Sequence, residues 1–375
     1  MPCRKPLARR IDGVIDAAVG DGRIVGTVVL VSQDGEPAYA RAAGHADREA
    51  GSSTSIDTLF RLASLTKPMA AATALALVER GRLALDDSIT TFLPDFRPRL
   101  VDGTAPEILV RHLLTHTAGF GYPTMLRGDP YRAADVSTGL DRPGLSLAEN
   151  LERIASVPLH FVPGSAWRYG FATDVLGAIL GVVVGGSLAD AIGEHVTGPL
   201  GMRDTAFTVR DPARLAVPYA DGAPRAVRMT EPCVVQDLTF SPARAFDERS
   251  FQSAGAGMVG TAEDFMTFLE TIRRGGPPIL GRGTVAMASA NHVGAMREPD
   301  EPGWGFGLLS GVLTDAARAR WPSHAGTLRW GGVWGNAWFI DPAADISVVM
   351  LSNTAVEGCT GSAFPQQVAE AVYDA

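Results

Sequence analysis

Strand signals stand at both ends of this chain and helical signals fill its middle. That arrangement limits the fold more than any other feature. Near the N-terminus, "GTVVLVSQDGEPAYARAAG" reads as a hairpin, with Val28 to Val31 as one strand, "QDGE" as the turn and "AYARAAG" as the return. Ahead of it, Leu7, Ile11, Val14, Ile15 and Ala18 recur at helical spacing and predict an amphipathic helix over 7–20. Near the C-terminus, "GWGFGLLSGVL", "HAGTLRWGG" and "NAWFIDPAADISVVMLSN" read as an antiparallel meander. "DPAAD" (341–345) is one of its turns, and a covering helix is expected near 362–373. Between these ends, helical patterns over 66–80, 107–115, 147–156, 173–184 and 187–196 are separated by Pro/Gly loops. The expectation is an α/β fold of the α+β kind. Its antiparallel sheet is flanked by helices and built from both termini, and an all-helical domain is inserted. The 375 residues suit two such units. Residues 210–253 are irregular and carry Pro212, Pro218, Pro224, Pro232 and Pro242; so long a loop is usually functional or mobile.

Charge and cysteine usage narrow the function classes. The net charge is −8 with both signs interspersed, which argues against a nucleic-acid or anionic-membrane surface. Cys3, Cys233 and Cys359 are odd in number and far apart, so they form neither a disulfide framework nor a metal-type spacing. Isolated thiols fit a reducing compartment. The first twenty residues lack the apolar core of a secretory signal. The longest apolar run, "VLGAILGVVVGG" (175–186), is too short to span a bilayer. A soluble, cytoplasmic protein without a metal or other cofactor is expected.

Lysine is nearly absent. Of 33 basic residues only Lys5 and Lys67 are lysine. Lys67 lies in "RLASLTKPMA" (61–70), three residues after Ser64 and directly before Pro68. Proline fits only the first turn of a helix, so Pro68 places the helix start near Ser64. The helix runs to about Arg80, where Gly81 supplies a stop. Its residues "MAAATALALV" are apolar nearly all round, so it is buried. Ser64 then sits at a helix N-terminus, where free N–H groups and the dipole favour negative charge. Lys67 is one turn on, within reach of the Ser64 hydroxyl. A serine becomes a nucleophile when an adjacent group takes its proton, and a buried lysine can do so. The alternative is a capping serine beside a lysine reaching for the surface. About 0.1 Ser-x-x-Lys matches are expected by chance in this composition, and a charge-free aliphatic helix is a poor place for an idle lysine.

Ser64-x-x-Lys67 inside "FRLASLTKPM" resembles the serine β-lactamase and penicillin-binding-protein superfamily. Further segments agree in order: "VRHLLTHTAGFGY" (110–122), "FVPGSAWRYGFATDVLG" (161–177), "GPLGMRDTAF" (198–207), "SAGAGMVGTAEDFMTFL" (253–269) and "HAGTLRWGGVWGNAWFIDP" (324–342). Within the superfamily the chain looks most like the family VIII carboxylesterases, which share the class C β-lactamase fold. The resemblance implies a sheet domain from 1–65 and 205–375, a mainly helical domain from 66–204, and a site in the cleft between them. It makes Tyr169, in Tyr169-Gly170-Phe171, the partner of Lys67 as base or acid. It places Trp330-Gly331-Gly332 at the third motif and makes the N–H groups of Ser64 and Val333 an oxyanion hole. Phe171 stands where the family usually has asparagine, and Trp330 where the lactamases have lysine. Two rings in place of polar groups imply small, uncharged, fairly apolar ester substrates. The expected activity is that of a serine carboxylesterase, with acyl transfer to an alcohol or amine, or amide or β-lactam hydrolysis, as alternatives. A binding protein on the same fold is a further alternative, against which the retained Ser64, Lys67 and Tyr169 speak.

Other residues are expected nearer the pocket than the chemistry. Phe120, Tyr122 and Met125 follow the "HTAG" turn and are candidates to line it, as are Phe306 and Trp334. Asp174 either orients the site or begins the next helix. His112 and His116 are four apart, but the glutamate of a zinc-protease motif is missing between them. No Gly-x-Ser-x-Gly occurs, so an α/β-hydrolase elbow is not expected.

Overall fold

The structure, a computed structural model, describes residues 4–123, 128–236, 238–297 and 301–374. Its centre is an eight-stranded antiparallel sheet. The strands are β1 (Gly26–Gln33), β2 (Glu36–Asp47), β3 (Ser52–Ser53), β4 (Trp304–Phe306), β5 (Gly311–Leu313), β6 (Leu328–Gly332), β7 (Asn336–Asp341) and β8 (Ile346–Ser352). The spatial order is β4-β5-β6-β7-β8-β1-β2-β3, so the two chain ends meet where β8 pairs with β1. There Val28 faces Leu351 and Val31 faces Val348.

Side chains alternate along these strands, and each face has its own cover. Val29, Val31, Phe339, Val348 and Met350 pack under α1 (Arg4–Gly20) and α8 (Ala363–Tyr373), which contribute Ile11, Ile15, Phe364 and Val368. Val28, Leu30, Trp338, Ile340, Val349 and Leu351 face the other way, onto Phe265, Phe268, Leu269 and Ile272 of α7 (Ala262–Arg273). Strands β7 and β8 are buried throughout, as strands covered on both faces must be.

The second apolar face continues into a group of helices. These are α2 (Thr66–Glu79), α3 (Val110–Leu114), α4 (Leu147–Ser156), α5 (Ala172–Val184) and α6 (Leu188–Ile192). Helix α2 is buried from Thr66 to Leu77, and Pro68 lies in its first turn. It packs on α5 and α6. Helix α4 begins at Ser146, whose side chain accepts the Glu149 N–H. The described residues of 210–253 hold only short pieces, including a hairpin of Cys233–Val235 and Leu238–Phe240. No single helix among the described residues is long and apolar enough to cross a membrane.

Candidate active site

Ser64 sits on a tight turn, Ala63–Leu65, that leads into α2. Several bonds fix this turn. Leu62 N–H donates to Met258 O at 2.8 Å, and Asn336 Nδ2 donates to Arg61 O at 2.8 Å. Met258 N–H donates to Thr66 Oγ1 at 3.2 Å. The end of β6 closes on the same turn because Gly332 has no side chain: a Cβ there would stand 2.4 Å from Leu62 O. Ala63, just before the serine, has φ +46°, a conformation that costs a non-glycine residue energy and is held by its surroundings.

Lys67 is 5 % exposed, yet its ammonium has three acceptors. Nζ donates to Ser64 Oγ at 3.1 Å, to Tyr122 Oη at 3.2 Å and to Gly255 O at 2.7 Å. Three acceptors match the three N–H bonds of an ammonium, which is what makes a buried one tolerable. Nζ also stands 4.7 Å from the Tyr169 ring centre and 5.6 Å from that of Tyr122. The Tyr169 hydroxyl donates to Ser64 Oγ at 2.7 Å, and Trp330 Nε1–H donates to Tyr169 Oη at 3.3 Å. Burial, with smaller contributions from Tyr169 and Asp174, pushes the Tyr122 hydroxyl well above its ordinary range, so Tyr122 stays neutral.

Asp174 is buried behind this group. Its Oδ1 accepts from Ser253 Oγ at 2.7 Å and from Gly255 N–H at 3.1 Å. The Gly255 residue therefore links the Asp174 carboxylate to the Lys67 ammonium. Burial raises the Asp174 carboxyl, against the opposing pull of the Ser253 bond and Lys67. A Cβ on Gly255 would lie 2.7 Å from Asp174 Oδ2, so an alanine there would have to displace the buried carboxylate.

Beside Ser64 opens a cleft of ≈ 320 Å³. It is lined by the aromatic Trp167, Tyr169 and Trp330, by Gly331, Val333, Cys359 and Thr360, and by the charged Arg297, Glu301 and Arg329. Thr360 Oγ1 donates to Trp330 O at 2.8 Å, and a Cβ on Gly331 would stand 2.5 Å from Thr360 Oγ1. Behind the wall, His116 lies 4.8 Å from the Tyr169 ring and 5.3 Å from Phe306. Burial first, then Lys67 and Arg297, hold His116 well below its ordinary 6.5, so its ring is neutral.

The expected residues thus divide. Ser64, Lys67 and Tyr169 stand together, with Trp330, Gly331 and Val333 on the cleft and Gly332 against the serine turn. Tyr122 bonds Lys67 directly. Phe171 and Phe120 do not line the cleft; both are buried to 1 % exposure or less. Phe171 caps α5 and packs beneath Tyr122 and Tyr131, with ring centres at 4.7 and 5.2 Å. Trp334 turns away to Phe240 and Arg61. Phe306 backs Trp330 from 5.2 Å. Met125 lies outside the described residues. His112 and His116 engage different partners: His112 Nδ1 accepts the Leu109 N–H. Residues 210–253 contribute nothing to the cleft lining among the described residues. Sequence reasoning missed the Gly255 carbonyl, Trp167, Thr360 and the Arg297–Glu301–Arg329 group. Trp167 and Gly255 lie inside segments that carried the resemblance; the charged group had no local signal.

This geometry has relatives. The Beta-lactamase family model matches residues 11–371. "Esterase EstB" of Burkholderia gladioli is 48 % identical over 363 residues, covering 95 % of this chain and 92 % of that one. Among solved structures, "EstCE1, a hydrolase with promiscuous acyltransferase activity" superposes with a TM-score of 0.96 at 41 % identity, covering 100 % of both chains. Simvastatin synthase (LovD) from Aspergillus terreus shares the fold, with a TM-score of 0.78 at 21 % identity over 97 % of each chain. The chain belongs to the beta-lactamase family.

Proposed function

We propose that this protein is a serine ester hydrolase that works through an acyl-enzyme on Ser64. One observation carries the assignment of roles: Ser64 Oγ lies 3.1 Å from Lys67 Nζ and 2.7 Å from Tyr169 Oη at the edge of an open cleft. The Lys67–Tyr169 pair takes the Ser64 proton as Oγ attacks the ester carbonyl. The N–H groups of Ser64 and Val333 stabilise the oxyanion, a contribution worth about 10²–10³ in rate per donor. The same pair returns the proton to the leaving alcohol, then activates the water that releases the acid. Tyr122 and Gly255 orient Lys67, and Asp174 orients Gly255. The proposal includes the division into a sheet unit (1–65 and 205–375) and a helical unit (66–204). Residues of both reach the cleft, Trp330 and Val333 from one and Trp167 and Tyr169 from the other.

The activity is tested with p-nitrophenyl acetate or butyrate. Turnover by the wild type and its loss in Ser64→Ala are expected; undiminished turnover in the variant would sink the assignment. Acyl transfer is a second reading, favoured by the likeness at 41 % identity to EstCE1, a hydrolase with promiscuous acyltransferase activity. Product analysis in excess alcohol decides it: new ester supports transfer, and free acid alone rejects it.

A further inference from the structure

The charged group lining the cleft has a specific asymmetry. Glu301 receives two arginines on one oxygen. Arg297 Nη2 lies 2.8 Å and Arg329 Nη2 2.9 Å from Glu301 Oε2. Oε1 has no side-chain or backbone partner among the described residues. The two arginines are themselves fixed. Arg297 is 1 % exposed, donates to Gly305 O at 2.9 Å, and stands over the rings of Trp167, Phe306 and Trp330 at 5.0–5.6 Å. Arg329 lies between Trp304 and Trp321, at 3.6 and 4.8 Å from their ring centres. Glu301 is different: its side chain is 41 % exposed, and it lines the same cleft as Ser64. Burial opposes its charge, but Arg297 and Arg329 outweigh that and keep the carboxyl below its ordinary range. The group is therefore an ionised acceptor held by two fixed arginines and lining the cleft.

The chemistry of its neighbours selects what it binds. An anionic substrate group would meet the carboxylate. A cationic group would meet two fixed guanidinium charges. A neutral hydroxyl meets no like charge and can donate to Oε1, the oxygen that neither arginine engages. We infer that Glu301 is a specificity residue, and that the preferred esters carry a free hydroxyl away from the scissile bond. This sharpens the expectation of small, uncharged, fairly apolar esters, because charged residues line the cleft together with the aromatic rings. The inference rests on the serine esterase reading.

The test is a ratio of kcat/KM values within matched pairs. Ethyl 3-hydroxybutyrate against ethyl butyrate places the hydroxyl on the acyl side; ethylene glycol monoacetate against propyl acetate places it on the alcohol side. The wild type is expected to prefer the hydroxyl member of at least one pair by roughly 10- to 100-fold, the range for a hydrogen bond to a charged group. Glu301→Gln is expected to lower that ratio several-fold. Ratios near one in both wild-type pairs would overturn the inference, even if p-nitrophenyl acetate is turned over normally. So would preference for an ammonium-bearing ester over its hydroxyl counterpart, or an unchanged ratio in a folded Glu301→Gln. Failure to turn over any ester would remove the esterase reading, and this inference with it.

Discussion

At the scale of single residues, the proposed proton transfer turns on Lys67. Its three donors meet Ser64, Tyr122 and Gly255, and an arginine in its place keeps the charge but does not give up a proton. Lys67→Arg is expected to lower kcat/KM for p-nitrophenyl butyrate by roughly 10²–10⁴, the usual worth of an acid–base group. A loss under about threefold would remove Lys67 from the chemistry. Much of this was legible. Lysine scarcity and Pro68 located Ser64 and Lys67, and the resemblance supplied Tyr169. Rotation of side chains was not legible. Phe171 was expected on the cleft, but Gly170 packs against the Gly121 backbone and the ring turns into the core under Tyr122. The Tyr122 hydroxyl reaches Lys67 across 55 residues of sequence, a distance no periodicity encodes.

At the scale of elements, the site depends on how closely β6 approaches the serine turn. Gly332→Ala would drive a Cβ into Leu62 O, a backbone atom that cannot swing away. Overpacking of this kind costs about 1–3 kcal/mol. The variant is expected to lose stability by that amount in urea titration, and to lose most Ser64 labelling by a fluorophosphonate. Gly283→Ala serves as the control, since nothing lies within 4 Å of its Cβ position. Equal behaviour of the two variants would contradict the close-approach argument. Most elements were readable from period and turn residues, but α7 was not assigned a helix. Its signals were present: Thr261 accepts the Asp264 N–H as a cap, Glu263 and Asp264 fill the first turn, and Phe265, Phe268, Leu269 and Ile272 share a face. The Arg297–Glu301–Arg329 group could not be read, because β4 and β5 lie between its members in sequence and only sheet pairing joins them.

At the scale of the whole molecule, both chain ends pair at the centre of the sheet, as strand signals at both termini predicted. Neutral, buried histidine makes that fold acid-sensitive. His116 is held well below 6.5 when folded, so below that pH the unfolded chain binds a proton that the folded chain excludes. Stability is present above pH 6.5 and falls as pH drops towards the folded value, by up to about 1.4 kcal/mol per pH unit. Urea midpoints at about pH 7 and about pH 5.5 measure this slope, and His116→Phe is expected to flatten it. Identical slopes in the two proteins would assign the acid sensitivity elsewhere. The central claim, however, is that one serine out of 20 is activated by its setting. Intact-mass spectrometry after fluorophosphonate treatment tests it most directly. One adduct is expected, mapped to Ser64, that disappears in Ser64→Ala together with ester turnover. An adduct on another residue, or no adduct on a folded, ester-hydrolysing wild type, would contradict it.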